Sequence, residues 1–362
     1  MKGRDLPPLA RLPLLALGFL SLIVGVIVGL VRLGWPLPIP STELLGLHGP
    51  LMISGFLGTV IGLERAVALA SRWAYSGPIL AGTGGLALVT GAPSVAAASL
   101  LSAGSLVLVA ASWVVVQRQR ALFTLTLGAG AVAWSVGNLI WLSGAPLVYV
   151  LPWWAGFLVL TIAGERLELS RFRPAPAPAK FAFAAVAVLL LAGIAAWPSG
   201  EAGRMLFAFS LLLISFWLGR YDVALYTVRG SGLPRFTAVC LLSGYLWLAF
   251  GALVGLATRG MFFGGGYDTT LHSVFLGFVF AMIFGHAPII FPAVTRFNIP
   301  YHPVFYLHLL LLHASLAMRV AGDLGGWVEL RRMGALGNAL VLLLFIINTV
   351  AAVIRGRRVV PG

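Results

Sequence analysis

Histidines are the residues of this 362-residue chain best suited to chemistry, because five of the six fall well inside long apolar segments. His302 lies at the edge of such a segment, and the other five are His48, His272, His286, His308 and His313. An ionisable side chain at membrane depth is costly and usually faces a cavity, a cofactor or a partner. Neutral imidazole is a standard ligand of haem iron and of copper, so the set predicts a metal or haem site.

His48 and His272 are the pair that we expect to ligate a b-type haem. They fall in the second and tenth apolar segments, each about 5–6 Å from the segment's start at 1.5 Å per residue. Both segments run from outside to inside, so the two imidazoles would lie at similar depth near the outer face and could bind one iron from both sides. Gly55, two turns after His48, would leave room for the macrocycle edge, with helix packing as the alternative.

A second metal site, either copper or another haem, is predicted from His286, His308 and His313. His286 lies fourteen residues after His272, about 21 Å along one helix, and His308 belongs to the next segment. The alternative is that Pro288 and Pro292 break the helix and that His286 satisfies the freed backbone carbonyls.

Three arginines on the predicted outer side have two alternative roles. They would bind the haem propionates, because arginine pairs bidentately with carboxylates, or they would pair with Asp323 and Glu329 or snorkel to the interface. These residues are Arg319, Arg331 and Arg332.

The elements that must position these residues are transmembrane helices. Hydrophobic residues make up 60% of the chain and charged residues only 9%, against about 25% in soluble domains, which excludes a water-soluble enzyme. The single Cys240 excludes a disulfide framework. We predict one integral membrane domain over 1–362, all-α, with about twelve spans. The predicted spans are 13–34, 44–69, 77–94, 97–116, 121–142, 147–164, 180–197, 203–219, 235–257, 269–291, 301–321 and 332–354.

The net charge of +14 indicates basic cytoplasmic loops, which set the orientation of the chain in the membrane, and not a polyanionic partner. We therefore expect the protein to bind no nucleic acid. With both termini cytoplasmic, 18 of the 24 Lys and Arg residues fall on the inner side, Lys2, Arg4 and Arg171 among them. The six on the outer side are Arg32, Arg204, Arg259, Arg319, Arg331 and Arg332. The expected location is the inner membrane of a bacterium or archaeon.

Two families resemble this chain. The stretch His48-Gly49-Pro50-Leu51-Met52 resembles the helix-2 haem-ligand motif of haem–copper oxidase subunit I. Arg331-Arg332 resembles the propionate-binding pair of that twelve-span family. The organisation is closer to NnrS, a haem- and copper-containing membrane family linked to nitric oxide, whose late His-x(4)-Gly segment is similar to His272–Gly277. The resemblance implies an oxidase-like bundle and a role in nitric-oxide tolerance or electron transfer, with quinol, a redox partner or a small gas as ligands.

The chain departs from both families. Position 46 is Gly where NnrS has the first His of a His-x-His motif, and the helix-7 histidine pair of the oxidases is missing. A complete haem–copper dinuclear centre is therefore not expected.

A proton- or ion-coupled transporter without haem is the alternative function. Its candidate groups include Glu64 and Glu165, which lie in a weak internal repeat of Gly-Phe-Leu followed by Glu-Arg. A structural or assembly membrane protein, whose histidines only pack, is the third alternative.

Overall fold

A computed structural model describes residues 5–170 and 173–358, so the predicted inner-side charges Lys2, Arg4 and Arg171 lie outside the described residues. Helix accounts for 85% of the structure, and the described residues form no strand, which confirms the all-α prediction. Within the described residues, twelve helices have fourteen residues or more, and shorter helical turns such as Ala224–Thr227 lie between them. The twelve helices are α1 Leu12–Arg32, α2 Thr42–Leu69, α3 Ser76–Val89, α4 Ser94–Arg118, α5 Leu122–Leu142, α6 Leu147–Leu169, α7 Ala177–Ala195, α8 Glu201–Tyr221, α9 Gly232–Ala257, α10 Gly264–Thr295, α11 Phe305–Gly325 and α12 Val328–Arg358.

Within the described ranges, eleven helices are long and apolar enough to cross a membrane, and the chain is a polytopic membrane protein. Helix α3 is the exception. It has 14 residues, about 21 Å at 1.5 Å per residue, against a hydrocarbon core of about 30 Å. The prediction extended this span to residue 94. The helix ends earlier because Gly91 adopts a φ of +75° and Pro93 then precedes α4.

The residues group into two compact units. The first comprises Met1–Phe157 with Val294–Arg296, and in it α1 packs against α2 and α3, and α4 against α3 and α5. The second comprises Leu158–Ala293 with Phe297–Gly362, and in it α8 packs against α7 and α9, α9 against α10, and α11 against α10 and α12.

Two helices change their hydrogen-bond pattern directly after a histidine. In α2, Leu51–Leu57 is π-helical and begins three residues after His48. In α10, Ser273–Phe280 is π-helical and begins immediately after His272. π-Helical turns are rare and occur frequently at functional sites. The two histidines singled out from the sequence are thus followed by the same uncommon backbone feature.

Glycines allow the helices around these segments to approach closely. A Cβ at Gly58 would overlap Trp134 of α5, and one at Gly62 would lie 3.5 Å from Pro78 of α3. In the second unit, α11 turns into α12 at Gly326, where φ is +71°. Gly322 and Gly334 then allow the two helix backbones to touch, because a Cβ on either would collide with the facing backbone.

The start of α1 is anchored by a buried cation. Arg11 donates to the Val294 carbonyl at 2.8 Å and pairs with Asp5 at 2.7 Å. Tyr75 donates to the same carboxylate at 2.6 Å. Burial and the hydrogen bond to Asp5 raise the pKa of Tyr75, so this phenol stays protonated as a donor.

Candidate functional site

His48 is oriented by helix α1. Its Nδ1 lies 2.7 Å from the carbonyl oxygen of Gly25. Because a carbonyl only accepts, Nδ1 carries a proton in this contact. A Cβ at Gly29 would lie 2.9 Å from both Cε1 and Nδ1 of the ring. Gly25 and Gly29, one turn apart, therefore form the surface on which the imidazole rests.

His272 also has acceptors against Nδ1, but from its own helix. Its Nδ1 lies 2.9 Å from the backbone oxygen of Asp268 and 3.3 Å from the Oδ1 of that residue. Both partners are acceptors, so Nδ1 of His272 carries a proton as well. Metal-ligating histidines characteristically donate their other ring N–H to a backbone carbonyl or a carboxylate. His48 and His272 both show this pattern, and both rings are only partly buried.

The three arginines singled out from the sequence all contact carboxylates. Arg331 Nε lies 2.7 Å from Asp323 Oδ1, and Arg332 donates to Glu329 at 2.7 Å, which is the acid-pairing alternative. Arg319 Nη2 donates to Asp268 Oδ2 at 2.8 Å. Sequence reasoning missed Asp268, although it lies four residues before His272 on the same helical face. The propionate role of these arginines stays a prediction.

His286 belongs to a hydrogen-bond network in the C-terminal half of α10, and both of its ring nitrogens have partners there. Its Nδ1 contacts the Met282 carbonyl at 2.8 Å, and its Nε2 lies 3.2 Å from Arg166 Nη1. A guanidinium only donates, so it occupies the imidazole lone pair. The carbonyl contacted is not the one of Phe284 that Pro288 would free, and α10 continues through Pro288 and Pro292 without a break.

Arg166 and Asp222 are the centre of this network. Arg166 Nε and Nη2 donate to the two carboxylate oxygens of Asp222 at 2.7 and 3.0 Å. Tyr245 donates to Asp222 at 2.6 Å, and the Ala224 amide donates at 2.7 Å. The side chains of Arg166 and Asp222 are 4% and 0% exposed. The sequence suggested Arg166 only through the Glu-Arg repeat, whose other arginine, Arg65, is partly exposed.

His308 and His313 also accept hydrogen bonds at Nδ1. His313 accepts from Trp247 Nε1 at 2.9 Å, which places the ring proton on its Nε2. His308 Nδ1 lies 3.2 Å from Asn348 Nδ2, and its ring centroid lies 4.7 Å from that of Phe284. Over 5–170 and 173–358, no group of three or more His, Cys, Asp or Glu residues could hold a metal ion.

The five histidines differ in the partners of their rings. His286, His308 and His313 each have a donor against one ring nitrogen, which occupies the lone pair needed by a metal. His48 and His272 have acceptors against Nδ1, as His286 does. His302 is exposed and accepts from the Val304 amide. The copper or second-haem site therefore stays a prediction without a supporting ligand cluster.

Two glycines predicted from sequence motifs serve helix packing. A Cβ at Gly55 would lie 2.9 Å from Ser21 Oγ and 3.4 Å from the Gly85 Cα, so the space beside it is filled by α1 and α3. The helix-packing alternative is thus the one observed for Gly55. Gly277 contacts the indole of Trp247, the residue that donates to His313.

Comparison with known proteins identifies a family model but no individual related protein. A family model described as "Domain of unknown function (DUF8744)" matches residues 11–354. No curated protein and no solved structure matches the chain.

Proposed function

This chain belongs to the DUF8744 family, and we propose that it is a membrane haem protein in which His48 and His272 would hold a b-type haem. The observation that carries the proposal is the acceptor against Nδ1 of each ring, the Gly25 carbonyl for His48 and Asp268 for His272. Metal-ligating histidines characteristically donate one ring N–H to such a partner and bind the metal through the other nitrogen. The π-helical segments that follow both residues give further support.

The protein's own contribution would be to hold two imidazoles in fixed orientations. The Gly25 carbonyl and Asp268 fix the rotation of the rings, and Gly29 gives the His48 ring its space. A haem held by two protein ligands supplies one-electron exchange, with no open position for a gas unless a ligand dissociates. We therefore favour electron transfer, with quinol or another redox partner, or a nitric-oxide response of the NnrS type.

The proposal is tested by the absorption spectrum of the protein purified in mild detergent from haem-supplied cells. We expect a Soret band and, after dithionite, the sharp bands of six-coordinate haem b. The pyridine haemochrome identifies the haem type, and elemental analysis for iron and copper tests the predicted second metal. A colourless protein that also fails to bind added haemin would refute the proposal.

Helix α1 provides a second test, because Gly29→Ala places a methyl group 2.9 Å from the His48 ring. We expect the ring to rotate away from the Gly25 carbonyl and haem affinity to fall roughly 10–100-fold, the usual cost of losing an outer-shell partner. Haemin titration of the apoprotein measures the change. Gly46→Ala is the matched control, since no atom lies within 4 Å of a Cβ there. Equal affinities in the two variants would contradict this role of Gly29.

An ion- or proton-coupled transporter is the second candidate function. The observation that favours it is the buried Arg166 of α6, which pairs with Asp222 just after α8, because charges inside membrane-spanning helices often mark substrate or ion pathways. This function predicts a colourless protein that mediates an ion or proton flux in proteoliposomes. The spectrum therefore separates the two candidates in one measurement.

A further inference from the structure

We propose that Arg204 binds the phosphate of an anionic phospholipid headgroup, at the end of the second unit where α8 and α10 begin. The inference starts from the six arginines on the predicted outer side, where an excess of basic residues is not expected. Four of them pair with carboxylates: Arg259 with Glu201, Arg319 with Asp268, Arg331 with Asp323 and Arg332 with Glu329. Among the described residues, Arg32 and Arg204 have no such partner.

The guanidinium of Arg204 is partly buried and contacts an aromatic ring in place of an acid. Its carbon Cζ lies 4.6 Å from the centroid of the Phe262 ring. Its Nε is enclosed by protein and donates to no acceptor within residues 5–170 and 173–358. The face of a phenyl ring attracts a cation but leaves its charge uncompensated. Because an enclosed donor without an acceptor is destabilising, this arrangement favours an anionic ligand.

Two glycines fix the position of the Arg204 side chain. Gly260 follows α9 with a φ of +62°, and a Cβ on it would collide with the Cβ of Arg204. Gly203 packs against the turn before α8 in the same way, because a Cβ there would overlap the Ala196 carbonyl. The start of α8 is thereby held close to both turns. The guanidinium is therefore positioned by backbone packing and not by an ion pair, which leaves its N–H groups for a ligand.

The side chains around this position are apolar and exposed. Met261 and Phe263, on either side of Phe262, are 47% and 66% exposed. Trp197, in the turn before α8, is 5% exposed, and its indole N–H has no acceptor in the part of the chain that the structure describes. Aromatic side chains with a polar atom concentrate where acyl chains meet headgroups. A cation beside apolar side chains fits an amphipathic anion, which favours a phospholipid over free phosphate.

The charges at this end of α8 favour an anionic lipid over a zwitterionic one. Glu201, three residues before Arg204, pairs with Arg259 at 2.7 Å. Two arginines and one glutamate leave these three side chains with a net charge of +1. A phosphodiester whose headgroup carries no cation supplies the missing negative charge, and guanidinium binds phosphate with two parallel hydrogen bonds.

The test is lipid binding by the purified, delipidated full chain, measured by native mass spectrometry. Dioleoyl-phosphatidylglycerol is the probe, and dioleoyl-phosphatidylcholine and inorganic phosphate at the same concentration are the comparisons. We expect the tightest phosphatidylglycerol site to weaken about tenfold in Arg204→Gln, because hydrogen bonds to a charged group are lost. Arg204→Lys should restore part of the affinity, since it keeps the charge without the planar fork. Arg32→Gln is the matched control and should bind the lipid as the wild type does.

Equal weakening in Arg204→Gln and Arg32→Gln would overturn the inference, because bulk charge would then explain the binding. Equal affinity for phosphatidylcholine, or displacement of the lipid by inorganic phosphate, would overturn it as well. Phosphatidylglycerol should also raise the unfolding temperature of the wild type more than that of Arg204→Gln, and this measurement shows that each variant is folded. The haem function does not enter this test, so the two proposals can fail separately.

Discussion

Replacement of His48 or His272 by alanine is expected to remove the haem. The loss of affinity should exceed the roughly 10–100-fold cost of losing an outer-shell partner, because each substitution removes a ligand itself. Haem content per protein, measured by the pyridine haemochrome, and the Soret spectrum after haemin addition report the result. Added imidazole should partly restore a six-coordinate spectrum, since it replaces the missing ligand without rebuilding the chain.

Two other histidines serve as controls for this prediction. His302→Ala changes an exposed residue, and His313→Gln changes a residue whose Nδ1 accepts from Trp247. Both proteins should keep their haem content. Retention of haem in either His48→Ala or His272→Ala would contradict bis-histidine ligation. Loss of haem in His313→Gln alone would instead indicate that the hydrogen-bond partners of the rings select the wrong residues.

Arg166→Met is expected to destabilise the protein strongly. Asp222 is fully buried, and this substitution removes the two guanidinium donors that compensate its charge. Breaking a buried pair by removing one partner costs about 3–5 kcal/mol, because a charge remains without its counter-ion. The unfolding free energy can be measured by SDS titration in mixed micelles, with helix content and tryptophan fluorescence as probes.

The double variant Arg166→Met, Asp222→Asn tests the cause of that loss. The asparagine carbonyl can still accept from Tyr245 or from the Ala224 amide, and no buried charge remains. We therefore expect the double variant to be more stable than Arg166→Met, with a coupling energy of about 1–3 kcal/mol in the mutant cycle. If the two losses simply add, the pair is not a compensated ion pair. Haem content should be unaffected by either change wherever the protein folds.

Much of the fold could be predicted because the bilayer imposes a local rule. Every backbone polar group must be satisfied within lipid, so each apolar run of about 20 residues becomes a helix. The predicted span 44–69 is thus observed as Thr42–Leu69, and 121–142 as Leu122–Leu142. The predicted span 77–94 is the exception, because hydropathy does not register the early stop at Gly91.

The same reasoning predicts only part of the candidate site. The type and depth of His48 and His272 are sequence properties, because position along a helix fixes depth. Their partners are not. Gly25 lies 23 residues before His48, and nothing in its local pattern marks it as a hydrogen-bond acceptor. Asp268 was within reach, because a spacing of four residues predicts contact with His272.

The sequence alone determined that this chain is a helical membrane protein with histidines inside its spans, because hydrophobicity and helical periodicity are local quantities. Only the tertiary structure decided which groups from other helices lie against the imidazoles. The acceptors of His272 belong to its own helix, whereas His48, His286 and His313 each have a partner from a different helix. Arg166 reaches His286 across 120 residues of chain, and Trp247 reaches His313 across 66. Such long-range pairings follow from helix packing, which no local pattern encodes.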